Sequence, residues 1–282
     1  MRRGCSRMLE VLVMVALSSC LASSSYAANF YQDFDMTWGG NGTKISNGGQ
    51  LLSLSLDTTS GSAFRSKKDF LFGRVEMEMK LVPGNSAGTV TAFYLSAQGP
   101  THDEIDFEFL GNVTGEPYVL HTNVITQGRG GREQQFYLWF DPTKNFHTYT
   151  LVWKPQHIIF LVDKIPIRVF KNDEEIGVPF PNNQSMKVYS SIWNAEAWAT
   201  RSGEEKIDWS YAPFTAQCRN FQAKTFPSSH QFTNGEWESQ ELDDHGKSRL
   251  KWIQKKFMVY NYCTDFKRFP MGIPGECRIP MF

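Results

Sequence analysis

His102-Asp103-Glu104-Ile105-Asp106-Phe107-Glu108-Phe109-Leu110 alternates acidic and apolar residues. A period of two is that of a β-strand, in which side chains two apart share a face. Ile105, Phe107 and Phe109 then point into a core, and Glu104, Asp106 and Glu108 all point the other way. Three like charges in a row repel, and folding alone has no use for them. Cleavage of a glycosidic bond does need two carboxyl groups of opposite character close together.

The same alternation occurs in Arg74-Val75-Glu76-Met77-Glu78-Met79-Lys80. There Glu76 and Glu78 read as a solvated strand face, with Arg74 and Lys80 beside them to soften the repulsion. The run from His102 to Leu110 holds no Lys or Arg. On pattern alone it stands level between a solvated face and a catalytic one.

Outward from this run, strand follows strand from Leu51 to about Trp209. Leu52, Leu54 and Leu56 alternate with Ser, and Val75 to Leu81 alternates with charge. His147 to Trp153, His157 to Val162 and Ile165 to Phe170 are separated by the turn residues Lys154-Pro155-Gln156 and Asp163-Lys164. Short strands at regular spacing predict an all-β antiparallel sandwich. After Pro213 the character changes. Leu250, Ile253, Phe257 and Tyr260 recur at helical spacing, so one amphipathic helix is expected in a C-terminal extension covering 214–282.

The beginning of the chain has a different purpose. Arg2, Arg3 and Arg7 precede a short apolar stretch, Val11 to Leu17, and then small residues. Residues 1–27 read as a secretory signal peptide, with Ser25 and Ala27 at the −3 and −1 positions of the cut. The catalytic sandwich is then expected over 28–213. No later stretch is long and apolar enough to cross a bilayer. Lys plus Arg equals Asp plus Glu at 29 each, so no global field draws in nucleic acid or anionic membrane. A neutral substrate fits better. The 22 Phe, 10 Tyr and 8 Trp supply a core, and flat side chains that would also suit sugar rings.

After export Cys218, Cys263 and Cys277 remain, which means one pair and one leftover. Cys263 and Cys277 lie close together in a loop-rich tail and are the expected disulfide. Asn41-Gly42-Thr43, Asn112-Val113-Thr114 and Asn183-Gln184-Ser185 are glycosylation sequons consistent with secretion.

With the Glu104–Glu108 run stand Pro117-Tyr118-Val119-Leu120-His121-Thr122-Asn123-Val124, Arg132-Glu133-Gln134-Gln135-Phe136 and Leu138-Trp139-Phe140-Asp141-Pro142. Ala197-Trp198-Ala199-Thr200, Asp208-Trp209-Ser210, Ala212-Pro213-Phe214 and Arg268-Phe269-Pro270 follow in order. In these segments the chain resembles the xyloglucan endotransglucosylase/hydrolases of plant cell walls, in glycoside hydrolase family 16. The resemblance implies a curved antiparallel β-jelly-roll sandwich, with an open cleft and a C-terminal extension that lengthens the acceptor side. By the same resemblance Glu104 is the nucleophile, Glu108 the general acid/base, and Asp106 the group that assists the nucleophile. His121, Thr122, Asn123, Gly131, Arg132, Glu133, Ala197, Trp198, Ser202 and Arg268 would touch the glucan. Xyloglucan polymer and oligosaccharides would be the partners of a monomer in the apoplast.

On a straight strand the Cα atoms of Glu104 and Glu108 lie roughly 13 Å apart, and retention wants carboxyl groups about 5–5.5 Å apart. Two Glu side chains leaning together across a concave surface can close that gap. Three carboxyl groups so close cannot all ionise cheaply, so one should keep its proton near neutral pH. The spacing of His102, His121 and Glu104 matches no common metal site, and a carboxylate mechanism needs neither metal nor cofactor. Trp139, Trp153 and Trp209 read as core, and Trp198 as a cleft residue.

The chain also departs from the family pattern. Glu196-Ala197 stands where Asp-Asp is frequent, and Ser202-Gly203 where Gly-Gly is. Thr225-Phe226-Pro227 occupies the place of the first cysteine of a second disulfide. Three functions follow: transfer between xyloglucan chains, hydrolysis by the same site, or glucan binding without turnover. Intact Glu104, Asp106 and Glu108 speak against the last, because a pure binder gains nothing from repelling carboxylates.

Overall fold

The computed structural model describes residues 28–226 and 242–279. The expected leader and its cut site lie outside the described residues, as do 227–241 and 280–282. Among the described residues the chain runs through α1 (Phe30–Asp33), β1 (Phe34–Trp38), β2 (Thr43–Ser46), β3 (Leu51–Leu56), β4 (Ser62–Phe70), β5 (Gly73–Lys80), β6 (Thr89–Ser96) and β7 (Glu104–Leu110). It continues through β8 (Val119–Ile125), β9 (Gln134–Tyr137), β10 (His147–Trp153), β11 (His157–Val162), β12 (Ile165–Lys171), β13 (Met186–Asn194), β14 (Phe214–Thr225), α2 (Asp244–Phe257) and β15 (Met258–Asn261). The strands form a jelly-roll sandwich of two antiparallel sheets. The front sheet has the order β1-β4-β13-β6-β7-β8-β9-β15, and the back sheet β12-β11-β10-β5-β14-β3-β2.

Period-two patterning does what the sequence requires. β3 buries Leu52, Leu54 and Leu56 and leaves its serines half-buried. In β7, Ile105, Phe107 and Phe109 are fully buried. The Phe107 ring meets Phe160 edge-on at 5.3 Å and Tyr149 at 5.9 Å, and Phe109 meets Tyr149 at 4.6 Å. Each such side chain contributes about 1.5–3 kcal/mol by leaving water. Because a one-residue slip would turn these rings outward, the packing also fixes the face on which the carboxylates stand. Glu76 and Glu78 behave as a solvated pair: Arg74 lies 3.0 Å from Glu76, and Arg219 2.7 Å from Glu78.

The extension differs from expectation in two ways. Phe214–Thr225 is an interior strand of the back sheet, hydrogen-bonded to β3 on one side and β5 on the other. The docked part is therefore α2, β15 and the tail. In α2, Asp243 caps the first turn by accepting from the Gly246 amide at 2.6 Å. Leu250 and Ile253 form its buried face against β12. The expected stripe stops at Phe257; Tyr260 belongs to β15, where pairing with β9 takes over from helical period. Cys263 and Cys277 are bonded, and Cys218 is free and buried. No helix among the described residues is long and apolar enough to cross a membrane.

Candidate active site

β7 lies in the middle of the front sheet, between β6 and β8. Glu104 and Glu108 are half-buried on its open face, and Asp106 is sunk between them at 6% exposure. Burial holds the Asp106 carboxyl far above the usual range; Glu104 and Glu108 add to this, and Arg168 opposes it. The adjacent Glu104 carboxyl raises it further, because a hydrogen bond between the two groups requires a proton on one of them. Burial pushes Glu108 up to about 7, helped by the charges of Glu104 and Glu133. One face thus carries an Asp106 carboxyl whose neutral form burial favours and, beside it, a Glu108 pushed up to about 7.

On β8, His121 is the register partner of Glu108 and Asn123 that of Asp106. Burial lowers His121 to about 4, so the ring is neutral. Gln135 Nε2 lies 3.1 Å from Nδ1; with that amide donating, the ring proton sits on Nε2, 3.7 Å from Glu108 Oε2. Asn123 Oδ1 accepts from the Arg132 amide at 3.1 Å and the Val124 amide at 3.0 Å. Thr122, expected beside them, points the other way. It is fully buried and donates to the Gln134 carbonyl at 3.1 Å. Strand alternation makes this unavoidable, since its neighbours hold the open face.

The loop before β9 joins the site to the tail. Gly131 has φ +90°, and a Cβ there would lie 3.2 Å from Arg268 Nη2. Glu133 is gripped by Arg268 through both nitrogens, at 2.5 and 3.3 Å. Burial would raise Glu133, yet the Arg268 bonds bring its carboxyl below the usual range. Arg132 also departs from expectation. Its guanidinium pairs with Glu276 at 3.0 Å, bonds Thr126 Oγ1 at 3.0 Å and lies over the Phe170 ring. It fastens the loop to the tail.

Trp198 is exposed and lies 6.1 Å from both His121 and Trp193, while Trp153 is core as expected and Trp139 and Trp209 are half-buried. The Trp198 turn is held by Thr200, whose Oγ1 accepts from the Gly88 amide and donates to the Gly111 carbonyl, both at 2.7 Å. Ala197 and Ser202 are exposed on this turn, and Ser202 adopts φ +58°. Tyr94, opposite Asp106, stacks on Tyr189 at 5.0 Å and extends the open face toward β13. Neither tyrosine was expected there. Alternation within β6 carries the signal, but the partner strand is not readable from sequence. Asn112 follows β7 directly and, like the exposed Asn41 and Asn183, is at the surface.

A sandwich of this topology, with a carboxyl row on the open side of its front sheet, defines a glycosyl hydrolase. Residues 30–211 match the family model of glycosyl hydrolases family 16, and 232–277 match that of the xyloglucan endo-transglycosylase C-terminus. The chain is 68% identical to xyloglucan endotransglucosylase protein 1 of Diospyros kaki over 95% of its own length and 94% of that protein. It is 61% identical to xyloglucan endotransglucosylase/hydrolase protein 15 of Arabidopsis thaliana, covering 98% of each. Among solved structures, the Crh5 transglycosylase shares the fold at TM-score 0.60, 22% identity and 74% of this chain against 87% of that one. The Bacillus licheniformis β-glucanase does so at 0.54, 24%, 73% and 91%. The chain belongs to the xyloglucan endotransglucosylase/hydrolase family.

Proposed function

We propose that this chain cuts the backbone of xyloglucan with retention and passes the cut end to a hydroxyl of another xyloglucan chain, remodelling the plant cell wall. Glu104 is the nucleophile. Its carboxylate attacks the anomeric carbon while Glu108 gives its proton to the departing glycosidic oxygen, leaving a glycosyl ester on Glu104. Glu108, now a carboxylate, takes the proton of the incoming hydroxyl as that oxygen displaces Glu104. Asp106 holds its proton toward Glu104 and stabilises the departing carboxylate. The observation that carries this reading is the open face that Glu104, Asp106 and Glu108 share on β7, with Glu108 half-buried so that its carboxyl is pushed up to about 7, where an acid that becomes a base works best.

His121, Asn123, Gly131, Glu133, Ala197, Trp198, Ser202 and Arg268 line the sugar path beside this pair, with Tyr94 and Tyr189 on the far side. The chain carries a leader ending at 27, acts as a secreted monomer in the apoplast without a cofactor, and bears a glycan on Asn112. Asn41 and Asn183 are further acceptors.

Water reaching the ester would make the same site an endo-hydrolase. Xyloglucan incubated with a labelled xyloglucan oligosaccharide separates the two outcomes. Label entering polymer, with few new reducing ends, supports transfer. Reducing ends that accumulate at one rate with and without acceptor, and no label in polymer, make the hydrolase reading the right one.

A further inference from the structure

Arg168 lies on β12 in the back sheet and is 1% exposed. Its side chain crosses the core to the front sheet. Nη1 donates to the Thr122 carbonyl at 2.8 Å and to Thr122 Oγ1 at 2.9 Å, and Nη2 donates to the Arg132 carbonyl at 2.6 Å. The guanidinium lies over the Phe160 ring at 5.3 Å and the Tyr262 ring at 6.0 Å. Among the described residues no carboxylate stands within ion-pair distance of it. A buried cation without a direct counter-ion is costly, and an apolar residue would fill the space more cheaply. Its presence here calls for a reason beyond packing.

The residues it touches supply one. Thr122 stands between His121 and Asn123. Arg132 stands between Gly131 and Glu133. Tyr262 belongs to the tail that delivers Arg268, and its hydroxyl donates to Glu276 at 3.2 Å, the same carboxylate that pairs with the Arg132 side chain. Its hydrogen bonds and its contact with Tyr262 are therefore made to neighbours of the open-face groups on one side of Glu108. We infer that Arg168 is the positioning residue of the acceptor side, holding β8, the 131–133 loop and the tail from beneath as one rigid wall. This rests on the transferase reading above. A sugar hydroxyl competes with bulk water only when it is well oriented, and a displacement of about 1 Å can cost on the order of a hundredfold. The planar fork suits the task, because a single ammonium cannot serve both strand and loop in the same geometry.

The test is Arg168→Lys, which keeps the buried charge and removes the fork. Donor KM, acceptor KM and the partition between transfer and hydrolysis are measured against the wild type in the same assay. A rise in acceptor KM of about tenfold is expected, with a matching fall in the transfer-to-hydrolysis ratio and donor KM within about twofold. An unchanged acceptor KM, or a uniform loss in transfer and hydrolysis together, overturns the inference. If Arg168→Lys does not fold, Thr122→Val tests the same contact, with acceptor KM expected up about threefold; no change there overturns it. If the wild type itself transfers nothing, the transferase reading fails separately. Calorimetry of a xyloglucan oligosaccharide on Glu104→Gln, with and without Arg168→Lys, then decides: weaker binding supports the wall and equal binding removes it.

Discussion

Arg268 in the disulfide-closed tail holds the carboxylate of Glu133 through both guanidinium nitrogens, and Glu133 is one of the charges that lift Glu108. The tail thereby reaches Glu108 electrostatically. The groups around Glu108 are Glu104, Asp106, Glu133 and a neutral His121. Removing the cation in Arg268→Met leaves Glu133 uncompensated and raises Glu108 further, so the alkaline limb of kcat/KM moves up in pH. Glu133→Gln removes an anion and moves that limb down. Shifts of the same sign in both variants would defeat this account.

Glu108 gives a second pH prediction. Its carboxyl is raised from 4.5 to about 7 in the folded state, so folding takes up protons between those values. The stability it contributes is fully present below pH 4.5 and is lost as pH rises through 7. Glu108→Gln therefore melts at a higher temperature than the wild type at pH 8, with the difference vanishing near pH 4. Activity in the wild type declines over the same interval, because the proton is needed for the leaving group.

Loss of either carboxylate separates their tasks. Glu104→Gln abolishes turnover on every substrate while glucan binding persists. Glu108→Gln falls by about 10²–10⁴ on polymer, but much less on a glycoside whose leaving group needs no proton. Equal losses on both substrates would contradict the assignment.

Ser202 adopts φ +58° and Arg201 before it +48°. A left-handed conformation costs an L-residue roughly 1–2 kcal/mol, partly offset by the extra unfolded-state entropy of glycine. Ser202→Gly should stabilise the chain by about 0.5–1 kcal/mol, raising Tm by about 1–4 °C in calorimetry. A lower Tm would show that the serine makes a compensating contact.

Asn112, in the loop after β7, donates through Nδ2 to the Pro117 carbonyl just before β8. In plant-secreted material the Asn112 peptide should carry glycan mass that an endoglycosidase removes. A peptide of unmodified mass would count against this.

Much of the fold was legible because burial follows a period of two. The strands from His147, His157 and Ile165 begin where their apolar runs begin, and β7 shows its inner and outer faces residue by residue. Phe214–Thr225 was misplaced because sheet pairing over more than a hundred residues leaves no local mark. Tyr260 was assigned to the helix because one turn of apolar spacing also fits a strand edge. The carboxyl row was readable from alternation. Thr122 could have been placed by the same rule, had it been applied to β8. Arg168 was not readable, since a cation in an apolar strand discloses its role only when the opposite sheet is in place.

The position of β14 also constrains how the molecule can be made. β5 must wait for partners that arrive some seventy and one hundred and forty residues later, because its neighbours are β10 and β14. During synthesis the front sheet, β15 excepted, can assemble once residue 194 has emerged, but the facing backbone edges of β3 and β5 stay unpaired until Thr225 follows. A chain released at Pro213 would retain all three carboxylates and still present two open apolar strand edges, a template for aggregation. The smallest unit of this chain that folds without an open strand template therefore extends past the carboxyl row to the end of β14.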